Sequence, residues 1–384
     1  MYLYDQLCYN AKKGDNHMKN KIISIVVFII FFTLSFIGGY HLGKMVDHIG
    51  GGNIFHFFGI IILFYLTLFI QIIVHEGGHL VFGLMSGYKF SSFRIGKYMI
   101  IKKQNKLYFK LFNLAGTGGQ CLLSPPSFNE GKIPYMLYNL GGCIANLMIS
   151  LICLVIYFLV ETNFFIKVFL ICMIGVGILF TLMNGIPMNG KLISNDGYNT
   201  LLFNKNKAAL YSLWLQLKIN EQLSNDVSLK NMPSEWFYLP AIDTLNNKMV
   251  STIGVFYENY LFELEDYNKC IEVIDQLLNE ANIVGLYRNL LIYDKIYCQV
   301  MLNQEVKFDL INNKENKTFM KQMKSFPVVL RTNYLLQKIH FKNEDEANKV
   351  LKQFEKNALK YPYTTEIENE RKNMEKIDHI TTVI

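Results

Sequence analysis

Residues 54–74, IFHFFGIIILFYLTLFIQIIV, run almost without a polar break and pass straight into HEGGHLVFGLMSG at 75–87. A run of this length reaches across a hydrocarbon core of ~30 Å as one helix. Inside a bilayer every backbone polar group must be satisfied within the segment, which leaves the helix as the natural form. The polar end of the run is then the anomaly. On insertion scales a charged group at mid-membrane costs ~2–3 kcal/mol. Gly77 and Gly78 each cost about 1 kcal/mol against Ala in a helix. His75 and His79 stand at i and i+4, on one helical face. Both imidazoles can reach one metal ion from there, and Glu76 can address a water on it. Imidazole ligands with one position left for water suit Zn2+. The bland reading is a buried polar cluster, and a five-residue motif also arises by chance.

Three further apolar runs, at 22–37, 135–160 and 164–183, predict a four-span bundle. Hydrophobic residues make up 51% of the 384 positions, and they crowd into 22–183. The chain thus divides into an N-terminal cytosolic leader at 1–21, a membrane domain at 22–198 and a cytosolic helical domain at 199–384. Lysines before the first span and Lys89, Arg94, Lys97, Lys102, Lys103, Lys106, Lys110 and Lys132 between the second and third put those segments in the cytosol. Loops 40–53 and 161–163 are nearly free of Lys and Arg. Both termini and the HEGGH end of the second span therefore face the cytosol. The net charge of +7 comes without a basic run or aromatic-basic stripe, which argues against a nucleic-acid partner. Seven cysteines with no CxxC pair read as small buried hydrophobes, not as a disulfide framework or thiolate zinc site.

The 88–134 segment alternates at 98–101 and 106–112, which predicts two strands joined by a turn at Lys102–Lys106. Gly116, Gly118 and Gly119 follow, and a strand edge there can hold an extended peptide by main-chain pairing; a plain cytosolic hairpin with a flexible loop is the alternative. A catalytic zinc usually takes three protein ligands. Asp196, beyond the fourth span at its cytosolic end, is the leading third ligand, because Asp47 falls on the other side. An Asn-Asp-Gly turn is its plain reading. Residues 199–384 read as amphipathic helices at roughly 205–223, 244–264, 267–281, 285–303, 317–325, 329–341 and 344–360. They form either a degenerate helical-repeat array of the tetratricopeptide type, with a face for a protein partner, or an all-helical domain without repeats.

Together, His75-Glu76-Gly77-Gly78-His79 at the end of a span, the glycine-rich segment before the third, Gly142 to Asn146-Leu147 inside it, and Asn184-x-x-Pro187 followed by Asp196-Gly197 resemble the site-2 protease family of intramembrane zinc metalloproteases. The likeness covers roughly residues 55–198. It implies a mostly α polytopic membrane fold, zinc on His75, His79 and Asp196, and water activation by Glu76. It also implies substrate or oxyanion contacts from Asn146 and Asn184. The substrate would be a membrane-embedded peptide or protein: a regulator, a signal-peptide remnant or a peptide precursor. One departure stands out. Pro187 and Asp196 lie four residues further apart than the family pattern, about one helical turn. A catalytically inactive membrane scaffold that recruits partners through its C-terminal helices is the alternative, and Glu76, which no structural zinc site needs, speaks against it.

Overall fold

A computed structural model describes residues 53–113, 117–190, 194–308, 311 and 313–383, together with 25, 26, 29, 32, 33 and 36–47. The predicted first span at 22–37 and the leader at 1–21 fall largely or wholly outside these residues. The chain separates into two compact units, residues 1–86 with 134–203, and residues 87–133 with 204–384.

The first unit holds three apolar helices, each long enough to cross a membrane: α1 (Ile54–Met85), α2 (Tyr135–Leu159) and α3 (Phe164–Gly185). Each packs against the other two. Their boundaries match the expected second, third and fourth spans. Asn53 starts α1 with a capping box, its Oδ1 accepting from the backbone of Phe55 and His56. Asn163 caps α3 in the same manner, through Ile166 N–H.

Burial in this unit is inside-out relative to a water-soluble bundle. Phe55, Phe58, Ile62, Leu151 and Phe158 are exposed, whereas the buried residues of α1 are Thr67, Gln71, Gly78 and Gly83. Lipid is as apolar as Leu, so helices gain from small residues and internal hydrogen bonds where they meet. Gly78 and Gly141 show the consequence: a Cβ on Gly78 would collide with the Gly141 carbonyl and lie 2.6 Å from Ala145 Cβ. At this crossing the two backbones touch.

The second unit opens with an antiparallel sheet of β1 (Lys89–Ile95), β2 (Tyr98–Lys103), β3 (Lys106–Leu111) and β4 (Gly119–Ser124), ordered β3-β2-β1-β4. The predicted hairpin is present, with its turn confined to Gln104 and Asn105, both at positive φ. That is the two-residue geometry whose twist suits a hairpin. The sequence pattern did not mark β1, and the glycine-rich strand begins at Gly119, later than expected.

Helices α4 (Asp196–Lys205), α5 (Lys207–Ser224), α6 (Lys248–Glu263), α7 (Tyr267–Glu280), α8 (Gly285–Met301), α9 (Lys314–Gln322), α10 (Pro327–Leu335), α11 (Glu344–Ala358) and α12 (Thr364–Val383) follow. All but α4 and α12 were foreseen within a few residues. The helix expected at 344–360 ends at Ala358, and beyond Pro362 the chain restarts as a helix at Thr364. Met99 and Ile101, on one face of β2, are buried in the same core as Tyr293, Tyr297, Leu330 and Phe354 of the helices. This shared core is why residues 87–133 group with the C-terminal helices, whereas the sequence-based division left them with the spans.

Candidate metal centre

His75 and His79 lie on the buried side of α1, near its C-terminal end, with rings perpendicular and centroids 4.8 Å apart. Each ring is held from behind. The Nδ1–H of His79 donates to the carbonyl of Tyr138 on α2 at 2.7 Å. The Nδ1–H of His75 donates to Oδ1 of Asn146 at 2.7 Å. With both Nδ1 atoms engaged, both Nε2 atoms are left to face one point, 3.2 Å from each other.

The orientation of Asn146 is itself fixed by a chain of amides. Gln71 Nε2 donates to the carbonyl of Met173 on α3 at 2.8 Å. That turns Gln71 Oε1 toward Asn146, whose Nδ2 donates to it at 2.6 Å and to the Gln71 carbonyl at 3.0 Å. Asn146 Oδ1 is thereby left for His75. Partners of this type behind a metal-binding imidazole fix its tautomer and raise its basicity. Glycine makes room for the ring: a Cβ on Gly142 would lie 2.5–2.7 Å from three atoms of the His75 imidazole.

Asp196 arrives at the start of α4. Its Oδ2 is 3.2 Å from His75 Nε2 and 3.5 Å from His79 Nε2. The longer Pro187-to-Asp196 spacing is absorbed in a loop that Asn195 closes. The Asn195 side chain donates to the carbonyls of Ile186 at 2.6 Å and Met183 at 2.7 Å. Its Oδ1 accepts from Met188 N–H at 2.9 Å and Tyr198 N–H at 3.0 Å. Gly197 lets α4 come against the end of α3, since a Cβ there would strike the Gly185 carbonyl.

These three atoms fit a zinc ion. Asp196 Oδ2 is buried and has no hydrogen-bond partner among the described residues. The separations of 3.2, 3.2 and 3.5 Å bracket the edge of a tetrahedron, about 3.3–3.4 Å for bonds of ~2.0–2.1 Å. Among the described residues, His75, His79 and Asp196 form the one group of His, Cys, Asp or Glu whose ligand atoms converge in this way. Glu76 is half-buried and within electrostatic reach of His79.

The remaining expected site residues are placed as follows. Asn146 is fully buried, with both ends of its amide engaged by His75 and Gln71. Asn184 is half-buried and donates to the Phe180 carbonyl one turn back. Gly118 accepts from Gly96 N–H at 2.8 Å, and Gly119 pairs with Ile95 at the start of β4. Both belong to the sheet-containing unit, and Gly116 lies outside the described residues. Three contributors were not foreseen: Gln71, the Tyr138 carbonyl and Asn195. Gln71 carried a signal, being four residues before His75 on the same apolar helix face.

No curated protein and no solved structure gives a significant match to the chain. The sequence profile described as Peptidase family M50 matches residues 63–371. That stretch takes in both histidines, the amides behind them and Asp196, and covers most of the chain, which therefore belongs to peptidase family M50, the site-2 protease family.

Proposed function

We propose that the protein is a zinc metalloendopeptidase that hydrolyses peptide bonds of membrane-anchored substrates. The observation that carries this reading is the convergence of His75 Nε2, His79 Nε2 and Asp196 Oδ2 beside Glu76. Zinc, when held by those three atoms, supplies Lewis-acid polarisation of the scissile carbonyl and acidifies water. Glu76 is the general base: it takes a proton from the attacking water and returns it to the leaving amine. The Nδ1 partners Asn146 and Tyr138 hold the imidazoles in register throughout, so Asn146 serves as a positioning residue. Asn184, Gly118 and the strand beginning at Gly119 are the proposed substrate contacts. A helical substrate hides its carbonyls in its own hydrogen bonds, so it must unwind before attack, and a strand edge suits the extended form.

The proposed topology has four spans, counting 22–37, with the HEGGH end of α1 and both termini on the cytosolic side. Placing the site within the spans keeps it from soluble proteins at large. The test is co-expression with a tagged membrane-anchored substrate. Wild type cuts it; Glu76→Gln retains zinc and loses cleavage by roughly two to four orders of magnitude. Equal cutting by Glu76→Gln would sink the mechanism.

A further inference from the structure

The sheet-containing unit encloses a cavity of about 370 Å³. Its lining comes from β4, α5, α6, α8 and α12. Lys230, Glu265 and Lys372 stand exposed at its rim, while Glu258, Asp294 and Glu370 are buried in its floor. Behind the floor, Arg331 is fully buried, within 2.5 Å of Asp294 and 3.4 Å of Glu370. The rings of Phe262 and Tyr297 lie 5.0 and 4.8 Å from its guanidinium. One guanidinium is thus shared by two carboxylates, and the third is left over. Glu258 has no exposure at all; its Oε1 accepts from the Cys270 thiol at 3.2 Å, and its Oε2 has no hydrogen-bond partner among the described residues. Thr365 Oγ1, also on the lining, is buried and unpartnered in the same sense.

An ionised carboxylate is costly in an interior unless something pairs with it. Burial pushes the Glu258 carboxyl well above its usual range and favours the neutral form while it is unpaired; a cation brought in through the adjoining cavity would displace that proton. Three features decide what would fill the cavity. The volume falls in the range of pockets that take organic groups, well above what an ion needs. The carboxylates do not converge as metal ligands do, because the metal-type cluster among the described residues is the one at His75. The walls carry Phe256, Phe262 and Tyr287, which suit an aliphatic stem and a cation set over a ring.

We propose that this cavity binds a lysine or arginine side chain of an extended peptide, with Glu258 as its counter-charge. The peptide is assigned as the cytosolic flank of a membrane-anchored substrate, since such flanks are rich in Lys and Arg. That assignment rests on the proteolytic reading above; the charge complementarity does not.

Full-length Glu76→Gln protein in detergent tests this by fluorescence anisotropy with a labelled peptide, Ser-Leu-Arg-Leu-Lys-Ser-Gly. A second peptide carries citrulline for Arg and norleucine for Lys, so the protein is unchanged between the two arms. The basic peptide binds, and the neutral one binds about tenfold more weakly or worse. Glu258→Gln, checked by thermal melting, weakens the basic peptide to the same degree. Equal binding of the two peptides, no binding of either, or full affinity in folded Glu258→Gln overturns the proposal. Cleavage of a membrane substrate by wild type without peptide binding sinks the cavity alone. Peptide binding without any cleavage sinks the assignment to a substrate flank.

Discussion

His75 and Asn146 are joined Nδ1 to Oδ1 at 2.7 Å, and this bond is the last link of a relay that starts at the Met173 carbonyl on another helix. One imidazole is therefore aimed by all three apolar helices. Removing the link should be felt in metal affinity before it is felt in the fold. Asn146→Ala is expected to lower zinc affinity by about 10–100-fold. Competition with a chromophoric chelator reads this directly, without any substrate. Unchanged affinity would mean that the imidazole needs no support from the amide.

The two glycines of HEGGH should behave in opposite ways. A Cβ on Gly77 meets nothing within 4 Å, whereas one on Gly78 falls on the Gly141 carbonyl. Gly77→Ala is expected to be neutral or to stabilise by up to about 1 kcal/mol. Gly78→Ala forces two backbones apart and should destabilise by ~1–3 kcal/mol. Thermal unfolding in detergent distinguishes them, and similar midpoints for both variants would show that the close helix crossing is wrong.

Arg331→Met removes the guanidinium from Asp294 and Glu370 and leaves buried carboxylates behind. The expected loss is ~3–5 kcal/mol, the cost of breaking rather than replacing a buried ion pair. Trp214 and Trp236, the two tryptophans of the chain, sit 6.2 Å apart in the same unit as Arg331. Their emission during urea titration reports on that unit specifically. A midpoint equal to wild type would refute the assignment.

Glu366 predicts a pH dependence of the same unit. Burial pushes its carboxyl from the ordinary 4.5 up to about 8, against the opposing pull of the Tyr361 hydroxyl 2.9 Å away. Between those values the folded chain keeps a proton that the unfolded chain has released. The stability from this group is full below about 4.5 and is lost as pH rises toward 8. The urea midpoint read by tryptophan emission should thus fall from pH 6 to pH 8, and Glu366→Gln should flatten the slope. A slope of the opposite sign, or one unaltered by the substitution, would count against it.

The parts of this molecule that could be read in the chain were those carried by local chemistry. The runs at 54–74, 135–160 and 164–183 became α1, α2 and α3 because length and apolarity alone decide a span. The HEGGH spacing put both imidazoles on one face for a reason internal to one helix. What escaped depends on long-range packing. Strand β1 carries Ser91, Ser92 and Arg94 as buried residues, so its alternation is not apolar against polar. Helix α12 buries Ile367, Met374 and Ile377 among charged neighbours, too sparse a stripe to stand out. Asn146 was legible as important, yet its bond to His75 depends on Gln71 and Met173, which no spacing announces.

The loop closed by Asn195 has a consequence for how such a site tolerates change. Three of its four hydrogen bonds tie the residue next to Asp196 to the end of α3 and to Met188, and the fourth ties it to Tyr198 in α4. Met188 and Asn195 are also joined backbone to backbone, so both ends of the intervening chain are held. Lengthening a connection whose ends are already held costs little, only about 0.6 kcal/mol for each doubling. The position of the third ligand is thereby insulated from the number of residues that lead to it. An extra helical turn's worth of sequence can accumulate there while the carboxylate stays where the two imidazoles need it.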